Sequence, residues 1–408
     1  MRLILSFAAL FTSVIFLQLS SGALGPLDAL SGAQSGFTTT QIGLLGSAHF
    51  VGFFIGCWGA PRLMGSSGHI RAFAAFAACG AIGALLHPIW IDPLGWSGMR
   101  VLTGFSIAGC YTVVEAWLHA KVTNKTRGRT MGIYRVVDLG ASLVAQLMIG
   151  VLEPVSYVSY NILAILVCMS LLPLMLTTSK PPDAPKAPRL RPMKALHLSP
   201  LGVAGVVVAG VTMPAFRMVG AIYGDEVGLR PDQIGLFLAM AMVGGALAQM
   251  PVGWLADKFD RRYVLIGASI ASILVSAATA MGPTMSPSTV FVMSFLFGAA
   301  TMPIFSLSAA HANDFAEADF MVELSADLMF FYGVGAIFSP LLASVLIQAY
   351  GPGAMFGMIA VAHAVLVVFG LYRMTVRDTA SRAPYTYIPR TSFILGRILR
   401  RRDKKDER

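Results

Sequence analysis

Charge is scarce in this chain: Asp, Glu, Lys and Arg together make up only 12% of its 408 residues. A water-soluble globule of that length could not hide a composition that is 56% hydrophobic with a mean hydropathy of +0.71. Cysteine is scarce too. Cys57, Cys79, Cys110 and Cys168 form no CxxC pair, have no histidine at ligand spacing and lie in apolar runs, which excludes a disulfide framework and a zinc site and predicts small buried side chains. Enzyme signatures are missing as well: no GxSxG elbow, HExxH pair or GxxxxGK[ST] phosphate loop occurs, so a membrane-embedded enzyme is disfavoured and neither a cofactor nor a metal is expected.

What is present is a series of apolar runs, each about as long as a helix needs to cross a hydrocarbon core of roughly 30 Å. Twelve are read, at about 4–24, 40–60, 70–91, 97–120, 130–152, 155–177, 199–222, 232–256, 263–282, 286–311, 320–348 and 352–373. The first follows a single Arg2 and ends in "SSGALG", which resembles a secretory signal; its length and the need for an even helix count favour a retained span.

Lys and Arg fall on alternate connections. Arg62, Arg71, Lys121, Lys125, Arg127, Arg129, Lys258, Arg261 and Arg262 share one side with the basic tail, and Arg230 is the clear exception. The positive-inside rule then places both termini in the cytoplasm. The tail "RILRRRDKKDER" reads as an inner-leaflet contact before a nucleic-acid site, with a short interfacial helix over Ser392 to Arg402 and a solvated tail as the two alternatives.

Two features divide the chain. "KPPDAPKAPRLRPMKALHLSP", from Lys180 to Pro200, carries six prolines and five cations and reads as a linker between six spans and six. "QIGLLGSAHFVG" from Gln41 also repeats as "QIGLFLAMAMVG" from Gln233 at an offset of 192, and Gly104 and Gly298 lie 194 apart. Parallel duplicates are implied, with residues 1–178 as a first half, 179–198 as linker, 199–373 as a second half and 374–408 as a basic tail.

With the repeat in place, "GWLADKFDRR", Gly253 to Arg262, resembles the loop signature of major facilitator superfamily transporters, which lies between the second and third helices of a half. Asp260 stands where a glycine is usual, and the first-half copy "GAPRLMGSSGHIRAF" offers Pro61 and Arg62 in place of the acid. "GHIRAF", "EAWL" at Glu115, "RGRTMGIY" at Arg127 and "AHANDF" at Ala310 are similar to the YcaD-like branch of that superfamily. The resemblance implies an all-α integral membrane protein of twelve helices in two pseudo-symmetric halves, housed in a bacterial inner membrane. It also implies secondary active transport of a small organic solute by alternating access, with H⁺ as the expected coupling ion. A facilitator that uses no gradient, or a non-transporting receptor or assembly factor on the same fold, are the alternatives.

Charged groups inside spans are the first site candidates, because burying them unpaired costs several kcal/mol. Glu115, Arg135 and Asp138 should sit at similar depth where spans 4 and 5 meet and neutralise one another, as a gate or proton-linked cluster or as a static tie. In span 11, Glu323 and Asp327 repel at i,i+4; Asp327 is the deeper and the expected proton site, with Glu323 reaching Lys258 or Arg261. Arg100 begins "RVLTGFSIAG", similar to a superfamily pattern associated with proton coupling. Arg100 and Arg217 either snorkel or face the cavity, and facing inward they would favour an anionic solute.

Gly253, Asp257, Lys258, Arg261, Arg262 and Asp314 are expected to form a cytoplasmic latch. Gln18, Tyr111, Gln146, Gln249 and Tyr332 could line a cavity or hydrogen-bond between helices. His49 and His311 suit a structural place better than a proton relay, and His87, His119 and His363 receive no role. The GxxxG pairs at Gly52, Gly220 and Gly353 predict close helix packing.

Overall fold

The computed structural model describes residues 2–121, 127–176, 190–281, 285–317 and 320–376; the basic tail and its suggested interfacial helix lie outside these. Twelve helical spans appear among the described residues. The first six are Phe7–Gln34, Thr39–Ser67, His69–Leu86, Pro93–Leu118, Thr130–Gly150 and Tyr157–Leu176. The second six are Pro200–Glu226, Pro231–Lys258, Arg261–Ala280, Pro287–Asn313, Glu323–Tyr350 and Ala354–Val376. They are numbered spans 1 to 12 below. Alternation puts the start of span 1, the end of span 12 and the short linker helix Pro192–Leu198 on one face, here called the terminal face, and the short turns such as Gly36 and Gly228 on the opposite, distal face.

The repeat read from sequence has a physical basis. Gln41 and Gln233, in the first turns of spans 2 and 8, each accept a hydrogen bond from the backbone N–H three residues back, of Thr38 at 2.8 Å and of Arg230 at 3.1 Å. Such a reach-back satisfies an orphan donor at a helix start. Just before each stands a glycine in left-handed backbone, Gly36 at φ 82° and Gly228 at φ 82°, where a side chain would be strained.

The equivalence continues deeper. A Cβ on Gly52 would run into the Val101 carbonyl and one on Gly104 into that of His49; in the second half Gly244 meets Phe295 and Gly298 meets Ala241 in the same way. Spans 2 and 4, and spans 8 and 10, therefore approach until backbone touches backbone, which only small residues permit.

Packing between the halves is uneven. One apolar cluster draws on both: Leu24, Leu27, Ile42 and Leu45 from the first half join Phe216, Val219, Phe237, Ala343 and Ile347 from the second, all toward the distal face. Toward the terminal face, Phe7, Leu10, Phe73 and Trp117 pack only within the first half, and Leu201, Leu265, Ile304 and Leu324 only within the second. Thr40 Oγ1 donates to Gln348 Oε1 at 2.6 Å, and the Leu341 N–H to Ser47 Oγ at 3.2 Å, closing the distal end. The last ring contact across the seam is Phe54 to Phe330 at 5.6 Å, near mid-depth. Beyond it Arg135, Leu247 and Met250 are exposed on spans 5 and 8, so the halves part toward the terminal face.

Two boundaries differ from expectation. Span 1 continues through Pro26 to Gln34 instead of ending near residue 24, which carries Asp28 inside the bundle. The described part of the linker also contains a helix, Pro192–Leu198, whose Ala195 is buried against Phe320 and Leu324.

Candidate functional site

Four of the polar side chains singled out from sequence, Gln18, Tyr111, Asp138 and Arg217, come together at the seam. On the first-half wall, the Tyr111 hydroxyl lies 2.6 Å from Asp138 Oδ1 and 2.6 Å from the Gln18 amide group. A phenol donates once, so it donates to the carboxylate and accepts from Gln18 when that amide presents its nitrogen. Across the seam stands Arg217 of span 7, half-buried and without a hydrogen bond or ion pair among the described residues. It lies within electrostatic range of His49, Tyr111 and Tyr332, which come from spans 2, 4 and 11. An uncompensated guanidinium among aromatic and amide groups is an anion site in waiting.

The expected cluster of Glu115, Arg135 and Asp138 does not form. Glu115 accepts from the Tyr134 hydroxyl at 3.1 Å, Asp138 is held by Tyr111, and Arg135 is exposed with its guanidinium 5.9 Å from the Tyr134 ring. Phenols satisfy these carboxylates more cheaply than a third buried charge would. Equal depth along two helices did not fix which face each side chain takes.

Arg100 does not snorkel. It is 1% exposed, with Nη1 3.4 Å from Asp28 Oδ2, while His87 Nε2 lies 3.3 Å from the same oxygen. His87, given no role from sequence, is thus part of a buried triad. Its Nδ1 lies 2.6 Å from the Gly83 carbonyl, which can only accept, so Nδ1 carries hydrogen. The Nε2 lone pair would then face a carboxylate oxygen unless a proton lies between them. Tyr160 stacks on His87 with ring centroids 5.3 Å apart, and Trp96 donates to the His87 carbonyl at 3.0 Å. Arg100 also crosses the seam, with Nη2 3.3 Å from Met218 Sδ. Asp28 escaped the sequence reading because Pro26 and Asp28 together look like a loop; the apolar residues Leu27, Ala29 and Leu30 around it were the available signal.

A narrow cleft inside the first half reaches Arg100, lined by Ser20, Ser21, His49, Thr103 and Ser106 among others. His49 Nδ1 and Arg100 Nε have no hydrogen-bond partner there.

The remaining candidates are spread out. Gln146 is spent on the Gly22 carbonyl at 3.0 Å, tying span 5 to span 1, and Gln249 is a long 3.5 Å from the Met302 carbonyl. Tyr332 packs edge-on to Phe305 at 5.6 Å, and Thr212 binds His363 Nε2 at 3.2 Å. His311 stands edge-on to Phe315, and the side chain of His119 lies outside the described residues.

At the terminal face Arg261 gathers the loop charges. It is ion-paired with Asp314, bonds the Ala310 carbonyl at 2.9 Å and reaches Asp257 at 3.5 Å. Every partner belongs to the second half. Lys258 lies over Trp254 and Phe259 at 4.9 and 5.5 Å instead of joining an ion pair, and a Cβ on Gly253 would meet nothing. Asp260, irregular for the motif, caps span 9 by accepting from the Arg262 N–H at 2.9 Å and pairs with that side chain at 2.7 Å.

The span 11 acids also differ from expectation. Glu323 pairs with Arg191 of the linker at 3.6 Å, not with Lys258 or Arg261, and fully buried Asp327 accepts the Arg191 N–H at 2.7 Å. The linker helix occupies the space the loop cations would have needed.

Twelve apolar spans in two like halves around a polar seam make this a membrane-spanning helical fold. Residues 201–403 match the Major Facilitator Superfamily, and the chain belongs to that family. It is 27% identical over 356 residues to a protein of Escherichia fergusonii described as uncharacterized MFS-type transporter YcaD, covering 86% of this chain and 91% of that one. The protein of that description from Salmonella typhimurium is 28% identical over 358 residues, with the same shares covered. Among solved structures, nucleoside transporter NupG superposes with a TM-score of 0.76 at 15% identity over 92% of this chain and all of that one. The D-xylose-proton symporter gives 0.72 at 13% identity over 95% of this chain and 100% of that one. These structural likenesses establish the fold, and with the family they make the chain a transporter and not an enzyme.

Proposed function

We propose that this protein is a secondary active, proton-coupled transporter of a small organic anion. It works by rocking residues 1–178 against residues 199–373 in the bacterial inner membrane, with the terminal face in the cytoplasm. The observation that carries the reading is the unpaired Arg217 in the seam, set against Arg100, whose charge is already balanced by Asp28. A half-buried cation with no carboxylate of its own among the described residues favours a solute that brings one.

Coupling follows from what shares the chamber. Asp138, held by Tyr111, is a negative charge on the wall opposite Arg217. A proton on Asp138 removes that charge and strengthens the field an anion feels, so proton and anion assist each other's binding; linkage makes the assistance reciprocal. The polar distal contacts are neutral hydrogen bonds, each worth about 1 kcal/mol, and the rest of that seal is the apolar cluster shared by the two halves, which carries no fixed charge to strand when it opens.

The test is a thermal-shift screen of carboxylates, phosphates, neutral sugars and amines on purified protein, since a bound solute stabilises the folded state. Stabilisation by an anion, lost in Arg217→Gln, is the expected result. Stabilisation by cations alone overturns the reading.

A further inference from the structure

A second basic site lies on the terminal face, well away from the seam. The ends of spans 7, 9, 10 and 12 form a shallow cleft open to solvent, lined by Ser199, Pro200, Leu201, Arg262, His311, Phe315 and Arg373. Nitrogen-bearing side chains converge on it from three different spans. The acids nearby are already engaged: Asp260 by Arg262 at 2.7 Å and Asp314 by Arg261. Arg373, half-buried, has no hydrogen bond or ion pair among the described residues. Ser199 Oγ accepts from the Gly202 N–H at 3.3 Å, which leaves its hydroxyl hydrogen to donate into the cleft.

We propose that this cleft binds a phosphate-bearing group, and that its source is the headgroup of an anionic phospholipid in the leaflet at the terminal face. The chemistry suits a phosphodiester: Arg373 supplies a planar donor fork and Ser199 a hydroxyl, both at the level of helix ends, where headgroups lie. The wall suits an acyl chain. Leu201 and Phe315 line the cleft, and outside it Leu371, Tyr372 and Val376 are 53%, 59% and 54% exposed, an apolar strip leading from the charge toward the membrane. A free phosphate would make no use of that strip.

The experiment uses the full chain in detergent, titrated with cardiolipin, phosphatidylglycerol, phosphatidylcholine or inorganic phosphate, with thermal stability and bound lipid by native mass spectrometry as readouts. Cardiolipin and phosphatidylglycerol should stabilise the protein and remain bound, and phosphatidylcholine should not. Arg373→Gln should weaken that binding roughly tenfold, as loss of one charge-assisted contact does, while Arg373→Lys keeps most of it. Stabilisation by inorganic phosphate as strong as by lipid, and equally sensitive to Arg373→Gln, keeps the phosphate site but transfers it to a soluble ligand. Identical lipid and phosphate responses in the wild type, Arg373→Gln and Arg373→Lys overturn the proposal.

Discussion

Asp28 and Arg100 face each other at 3.4 Å from spans 1 and 4, each 1% exposed, and Arg100 alone reaches on across the seam to Met218. A balanced charge pair therefore sits where the two halves touch. Replacing one partner strands the other, which in buried pairs costs about 3–5 kcal/mol. Asp28→Asn should lower thermal stability by an amount of that order, and Asp28→Asn with Arg100→Gln should be less damaged than Asp28→Asn alone. Equal losses in the single and double variants would show that the two residues do not act as a pair.

The terminal-face charges form a graded set. Asp314 is 16% exposed in its pair with Arg261, whereas Asp257 is 61% exposed at 3.5 Å from the same guanidinium. Exposed pairs contribute about 0.2–1 kcal/mol. Asp257→Asn should thus change stability little and Asp314→Asn clearly more, measured as melting temperature in one detergent. Because the partners of Arg261 among the described residues all belong to the second half, neither change should alter the spacing of the two halves, which spin labels on spans 2 and 11 would read.

Gly253 meets nothing in this state, on a span whose terminal end stands apart from the other half. Closing the terminal face would bring that end against neighbouring helices. Gly253→Leu should therefore fold and bind solute from the terminal side yet slow turnover, with label distances fixed at the parted value. Unimpaired turnover would show that span 8 does not close there.

Much of the fold could be read from residue patterns, for identifiable reasons. The Gln41 and Gln233 match marks two identical helix starts, and the glycines at 104 and 298 mark two backbone contacts, so the repeat records geometry directly. Asp257, Arg261 and Asp314 were legible because short loops confine charges to one neighbourhood. Arg135 was misplaced because its depth was right and its contacts were not: its side chain is exposed, while Asp138 on the same helix is held by Tyr111. Asp28 and His87 were missed because the stabilising partner of each comes from another span, a relation no local window contains.

The distal seal offers a direct handle on switching. Thr40 and Gln348 bond at 2.6 Å between spans 2 and 11. Cysteines at these two positions, cross-linked by a short bifunctional reagent in a background lacking Cys168, should trap the parted terminal face and stop transport reversibly on reduction of a cleavable linker. Transport that continues through the cross-link would exclude opening at the distal face.

The most direct test is solute flux in proteoliposomes, comparing organic anions with neutral and cationic solutes, with and without an imposed pH gradient, for the wild type and Arg217→Gln. Anion flux that is driven by the gradient, and reduced about 10- to 100-fold by loss of the guanidinium, is the expected result. Anion flux indifferent to both the pH gradient and Arg217, or flux of cations alone, would contradict it.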